Sequence, residues 1–179
     1  MTRLVGSEMC IRDRAKKMLV AYYSWSNGNT EKVAEQLADA CGADLERIET
    51  VEPYPEDYDQ TVQQGQDEVN SGFQPEICPF EHDPADYDVI AVGTPTWWYT
   101  MAPAANTFLA GADWAGKTVV PFMTNGGWPG SVIDDMFDAA GGAAEGPSLE
   151  VRFDSTGGSR QETPQHEIDR WVSSVKCLL

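Results

Sequence analysis

The chain has 179 residues, enough for one domain with a substantial core, and its 41% hydrophobic and 10% aromatic content excludes a disordered class. Twelve basic against 29 acidic residues leave a formal charge of −17, which disfavours nucleic acid and anionic membrane surfaces as partners and suits either a basic docking partner or plain solubility. Four scattered cysteines (Cys10, Cys41, Cys78, Cys177) and two distant histidines (His82, His166) offer no zinc or iron–sulfur spacing.

Residues 1–17 carry five basic and two acidic residues without an apolar stretch, so they are not expected to work as a secretion signal. The run from Ser7 to Asp13 resembles translated sequencing-adapter text, so this leader is expected to be unstructured and non-native, with the domain spanning 18–179. No apolar run reaches the roughly 20 residues of a membrane-spanning helix, and a cytoplasmic location is expected.

From Met18 a short apolar run, Met-Leu-Val-Ala-Tyr-Tyr, predicts a strand that empties into Ser24-Trp25-Ser26-Asn27-Gly28-Asn29-Thr30. A helix follows, with Val33, Ala34, Leu37, Ala38 and Cys41 on one face and Gly42 at its end. Strand, hydroxyl-rich turn and helix start together place backbone N–H groups and hydroxyls at the positive end of a helix, the environment of a phosphate. The turn has no lysine and only one glycine, so neither the nucleotide P-loop nor the dinucleotide Gly-x-Gly-x-x-Gly applies. A terminal monophosphate held by neutral donors fits better; the plainer alternative is that Ser26 or Asn29 merely caps the helix.

Residues 43–49 alternate and predict a half-exposed edge strand. Cys41 and Arg47 match a phosphatase nucleophile spacing, but Asp44 and Glu46 between them would expel a phosphate. A loop at 53–58, a polar helix from about Asp57 to Asn70 and an irregular stretch from Ser71 to Tyr87 come next. Asp88 to Gly93 is continuously apolar, as expected of a strand covered on both faces. The segment Thr94-Pro95-Thr96-Trp97-Trp98-Tyr99 then predicts a loop before a helix near Pro103 to Leu109. A further strand at Lys117 to Met123 breaks at Thr124-Asn125-Gly126-Gly127-Trp128-Pro129-Gly130. Ser131 is then expected to cap a helix whose Val132, Ile133, Met136, Phe137 and Ala140 share a face. Leu149 to Phe153 predicts a last strand, and Thr163-Pro164 opens a terminal helix that buries Ile168, Trp171, Val172, Val175 and Leu178.

Five strands alternating with about five helices predict an α/β fold: three layers, an open twisted five-stranded parallel sheet with helices on both faces. Ligands of such sheets bind beyond the carboxyl ends of the strands. The loops at 24–30, 94–99 and 124–130 all follow strands and should line one rim. The first offers phosphate donors; the others add Trp97, Trp98, Tyr99 and Trp128 beside glycines, which describes a site for a flat, conjugated phosphomonoester. Trp114 and Trp171 read as structural.

These three motifs, in order, resemble the flavodoxin-like flavoproteins of short-chain type. Ser24-Trp25-Ser26-Asn27-Gly28-Asn29-Thr30 is similar to the family's Ser/Thr-x-Ser/Thr-Gly-Asn-Thr turn, with Asn27 inserted. Gly93-Thr-Pro-Thr-Trp-Trp-Tyr-Thr-Met101 is similar to its flavin-contacting loop, and Thr124-Asn-Gly-Gly127 to its third loop. The resemblance covers Met18 to Leu179 and implies FMN as cofactor. It implies that Ser24, Ser26, Asn27, Gly28, Asn29 and Thr30 cradle the phosphate, with Trp25 close by. Thr94 belongs to the second loop, and Pro95, Thr96, Trp97 and Trp98 would flank the ring, Trp98 stacking on it. Asn125, Gly126 and Gly127 would offer donors to the pyrimidine edge, Trp128 is a second stacking candidate, and Tyr99 forms a substrate wall or a cover.

Two functions stay open on this reading. One is a carrier passing electrons between protein redox partners; the other is an enzyme that moves electrons from a nicotinamide donor to a quinone. A flavin-free structural domain of the same fold is a third reading. A phosphate-accepting receiver domain is disfavoured, because Tyr22-Tyr23-Ser24 lacks the acidic cluster that would hold magnesium. An acidic chain with no cation in its phosphate loop is expected to give the bound flavin a low reduction potential.

Overall fold

The structure is a computed structural model that describes residues 16–24, 28–54, 56–128, 130–154 and 160–179, leaving aside the Tyr58 side chain. Seven strand segments make one sheet: β1 (Met18–Tyr22), β2 (Asp44–Arg47), β3 (Val89–Trp97), β4 (Thr100–Met101), β5 (Thr118–Asn125), β6 (Ala144–Glu145) and β7 (Leu149–Arg152). The order is β2-β1-β3-β5-β6, with β7 also beside β5, and every pairing but that of β3 with β4 is parallel. β6 pairs the start of β5 and β7 its end, so the two are one edge strand interrupted at 146–148. Five strand positions result, in the arrangement the apolar runs predict.

The sheet is sandwiched because its strands alternate apolar residues between two faces. Val20 and Tyr22 of β1 join Val33, Ala34 and Leu37 of α1 (Asn29–Cys41) and Ile168, Trp171 and Val175 of α5 (Gln165–Lys176). Leu19 and Ala21 point the other way, among Phe108 and Leu109 of α3 (Pro103–Gly111) and Val132 and Met136 of α4 (Val132–Ala139). The remaining helix, α2 (Tyr58–Ser71), is capped by Asp57, whose side chain accepts from the Gln60 amide. Among the described residues no helix is long and apolar enough to cross a membrane.

Two tryptophans are fully committed to this core. Trp114 donates its indole N–H to the Leu109 carbonyl at 2.8 Å, and Trp171 donates to Pro147 at 3.0 Å while packing on Phe122. Residues 1–15 of the expected leader lie outside the described residues. At the start of the domain, the Lys17 amide donates to the Asp88 carboxylate at 3.0 Å and its ammonium lies 5.0 Å from the Tyr87 ring centre.

The structure corrects the sequence reading in three places. Residues 94–97 are strand, not loop. Thr94 and Pro95 pair with Met123 and Thr124 of β5, and Thr96 and Trp97 pair with Met101 and Thr100 of β4, so β3 continues into a hairpin. β5 likewise runs on to Asn125. Ser131 stands at the start of α4 but its side chain makes no cap bond; the hydroxyl instead donates to the Asp135 carboxylate at 2.7 Å.

Candidate functional site

Strand order reverses at β1, whose neighbours β2 and β3 are reached in opposite directions, so a crevice opens between the loops that leave β1 and β3. The loop after β1, the β3–β4 turn and the loop after β5 all leave the sheet at that rim. Hydrogen bonds tie the three together. Thr30 and Thr124 share a buried hydroxyl–hydroxyl bond of 2.8 Å that fastens the first loop to the third. Thr96 donates to the Thr124 carbonyl at 3.4 Å, and the Ser131 amide donates to the Tyr99 carbonyl at 2.9 Å.

In the first loop, Ser24 is buried and its hydroxyl has no partner among the described residues. An orphaned buried hydroxyl costs about 1–3 kcal/mol, so it marks a place where an acceptor or donor from a ligand would be welcome. Gly28 precedes α1 with φ 71°, a left-handed conformation that a glycine adopts without strain, and it has no side chain to cap the first-turn amides. Asn29 therefore opens the helix rather than capping it. Trp25, Ser26 and Asn27 lie outside the described residues.

The aromatic residues divide into two kinds. Trp97 is half-buried in an edge-on cluster with Tyr23 and Tyr54, at centroid distances of 5.8 and 5.0 Å, which makes it a packing residue at the rim. Burial pushes the Tyr23 hydroxyl well above the ordinary tyrosine range, and burial together with its bond to Glu68 does the same for Tyr54. Trp98 and Tyr99, by contrast, form the two-residue turn of the hairpin, both at positive φ (52° and 68°), and both are exposed. Trp98 is steadied by its indole N–H, which donates to the Val62 carbonyl of α2 at 2.9 Å. Trp128 of the third loop is 59% exposed, as is Tyr99.

Several expected contact residues already have internal partners. Thr94 is fully buried, and its hydroxyl accepts from the Ala102 amide and donates to the Pro95 carbonyl, so it holds the hairpin. The Gly127 amide donates to the Asn125 side chain at 2.7 Å, which removes one of the backbone donors expected for a pyrimidine edge.

Sequence reasoning missed two arginines at the rim. Arg47 ends β2 in register with Tyr22, and its guanidinium donates to the Ser24 carbonyl at 2.9 Å and to the Glu31 carboxylate at 3.2 Å. Tyr22 donates to the same Glu31 oxygen at 2.8 Å, and burial followed by this bond pushes its hydroxyl up to about 12. The guanidinium of Arg152, at the end of β7, lies beside Gly127, within 3.3 Å of where a Cβ would stand. The phosphate loop itself holds no cation, and the two arginines beside the rim are each paired with a carboxylate, Arg47 with Glu31 and Arg152 with Glu162. The signal was present: a residue ending a strand beside β1 must approach β1's loop. The described residues hold no group of three His, Cys, Asp or Glu that could bind a metal ion.

Comparison with known proteins agrees with this geometry. The flavodoxin sequence profile matches residues 17–140. The fold is similar to that of a protein described as a flavoprotein from Bacteroides eggerthii, with TM-score 0.71, 30% identity, and 89% of this chain and 97% of that one covered. A second, from Bacteroides uniformis, gives TM-score 0.73 at 25% identity over 89% and 99%. A flavoprotein from Lactobacillus acidophilus, solved in complex with FMN, gives 0.68 at 24% identity over 88% and 99%. No curated protein matches the sequence. With the profile covering more than half of its length and the sheet order that its strands adopt, the chain belongs to the flavodoxin family.

Proposed function

We propose that this protein binds FMN at the rim and passes electrons between redox partners. The observation that carries the reading is the convergence of a buried Ser24 hydroxyl and a Gly28 helix start, neither with a side-chain partner among the described residues, and exposed Trp98, Tyr99 and Trp128 on three loops joined by the Thr30–Thr124 bond. The residues fit the group: neutral donors for a phosphate, and aromatic faces for a conjugated ring. The FMN-bound relative from Lactobacillus acidophilus supports the same assignment. FMN, when bound, supplies the electron chemistry.

This chain's part is to bind and orient. Ser24 and the first-turn amides of α1 would hold the phosphate at the positive helix end. Trp98, locked by Val62, would present a fixed face to the ring, and the exposed Tyr99 and Trp128 would limit water above it. The test is the visible spectrum of the purified protein and titration of the apoprotein with FMN. A yellow protein, or sub-micromolar FMN binding on the scale usual for held cofactors, supports the assignment. Colourless protein that binds no FMN points instead to a flavin-free domain.

The second reading, a quinone reductase using NADH or NADPH, draws on the same exposed Tyr99 and Trp128, which offer flat surfaces for a nicotinamide or quinone. Rapid bleaching of bound flavin by NADH or NADPH, with turnover on a quinone, would favour it over the carrier.

A further inference from the structure

Glu31 stands in the first turn of α1, where a carboxylate is favoured by the helix dipole but competes with any anion seeking the same end. One of its oxygens lies 3.5 Å from where a Cβ on Gly28 would be, so this carboxylate borders the proposed phosphate cradle. The other oxygen accepts from Tyr22 at 2.8 Å and from Arg47 at 3.2 Å. Left alone, such a carboxylate would repel a dianion across a few ångströms.

Arg47 meets that carboxylate from the neighbouring strand. Its Nη1 faces Glu31 while its Nη2 donates to the Ser24 carbonyl, and the guanidinium stands 5.9 Å from the Tyr22 ring centre. A planar fork can satisfy both partners at once, which an ammonium cannot do. The arrangement turns the Ser24 carbonyl, a dipole of the wrong sign for a phosphate, toward a cation. The Ser24 hydroxyl, also buried, has no partner among the described residues.

We propose that Arg47 is a positioning residue for phosphate recognition: by cancelling Glu31 and fastening the Ser24 carbonyl, it makes the cradle accept a phosphorylated flavin in preference to its dephosphorylated form. This rests on the FMN reading above and adds to it the residue pair that sets the preference. Arg47 acts through Glu31 and Ser24, without being required to touch the phosphate.

The experiment is fluorescence titration of the full-length apoprotein with FMN and, separately, with riboflavin, for the parent, Arg47→Met, Glu31→Gln and the double variant. Arg47→Met is expected to weaken FMN about tenfold while moving riboflavin less than about twofold, since both partners are partly solvent-exposed and screening limits the effect. Glu31→Gln should bind FMN at least as tightly as the parent, and the double variant should recover to within about threefold of the parent, because the repelling charge is gone. A merely structural role for Arg47 would weaken both flavins together and would not be rescued by Glu31→Gln. Either outcome overturns the proposal, as does an unchanged FMN-to-riboflavin ratio in Arg47→Met. Should Arg47→Met not fold, Glu31→Gln alone decides, a looser grip on FMN than the parent's sinking the idea. A parent that binds neither flavin removes the cofactor reading and this inference with it, whereas a parent that binds FMN with an unresponsive pair overturns only the inference.

Discussion

The rim and the opposite, amino-terminal end of the sheet make a useful contrast. The amino end holds a groove of about 630 Å³ lined by Ile77, Phe80, Phe108, Gly111 and Lys117 among others. Its polar groups are paired. The Lys117 ammonium donates to the Ala85 and Tyr87 carbonyls, Thr107 donates to Pro75 and Pro103, and Asp83 accepts from the Ala85 amide. The rim holds the Ser24 hydroxyl, which has no partner among the described residues, the positive-φ pair Trp98–Tyr99 and the exposed aromatics. Volume alone does not make a binding site. Polar groups left unsatisfied and backbone held in costly conformations are better signs, because folding by itself gives no reason to keep them.

The strongest way to break this contrast is a substitution at each end. Gly28→Asp puts a carboxylate into the anion cradle and should weaken FMN by about a hundredfold or more, whereas Gly111→Ala, with open space around it, should leave binding within about twofold. Titration of both apoproteins checks this, and equal effects would erase the distinction between the two ends. Next comes Thr30→Val, which strands the buried Thr124 hydroxyl and loosens the first loop from the third. It should cost about 1–3 kcal/mol in urea unfolding and also weaken FMN. Trp114→Phe, in the core against Phe108, loses its bond to the Leu109 carbonyl and should cost about 1 kcal/mol with FMN affinity untouched.

The smallest effect concerns alkaline pH. Tyr22 near the rim and Tyr87 near the amino end are each pushed from 10.0 to about 12, chiefly by burial and then by bonds to Glu31 and Asp44 respectively. Both phenols stay protonated in the fold while the unfolded chain loses its protons first. Stability is therefore full below about pH 10 and falls as pH rises toward 12. Tyr22→Phe and Tyr87→Phe should each flatten that fall in denaturant midpoints measured across the window. An unaltered slope in Tyr22→Phe would argue against the Tyr22–Glu31 bond, and so against the network that includes Arg47.

Much of this architecture was legible in the chain. The apolar stretches at 18–22, 89–93 and 119–123 lie on central strands buried on both faces, where side chains of both parities must be apolar. The helical faces of α1 and α5 are buried as their spacing predicts, except that Cys41 is half-buried and Leu178 lies half-buried past the end of α5. The β3–β4 hairpin was not legible, because its turn is Trp98-Tyr99 rather than the Asn-Gly or Asp-Gly that usually supplies two positive-φ residues. β6 is only two residues long and exposed, so no hydrophobic pattern marks it. At the site, the loops could be placed at one rim from their positions after strands. That Thr94 and Gly127 already had internal partners could not be read from residue types.

Local sequence determined which segments become strands and helices, and that three strand-following loops carry hydroxyls, glycines and aromatics, because periodicity and turn chemistry act over a few residues. Only the tertiary structure decided that Thr30 meets Thr124 across 94 residues of chain, that Trp97 packs while Trp98 stays exposed, and that Arg47 stands between Glu31 and Ser24. The physical reason is strand order. Which strands lie side by side, β2 against β1 and β5 against β3, is settled by packing the whole sheet between its helices, and that adjacency brings distant charges and hydroxyls to a common edge.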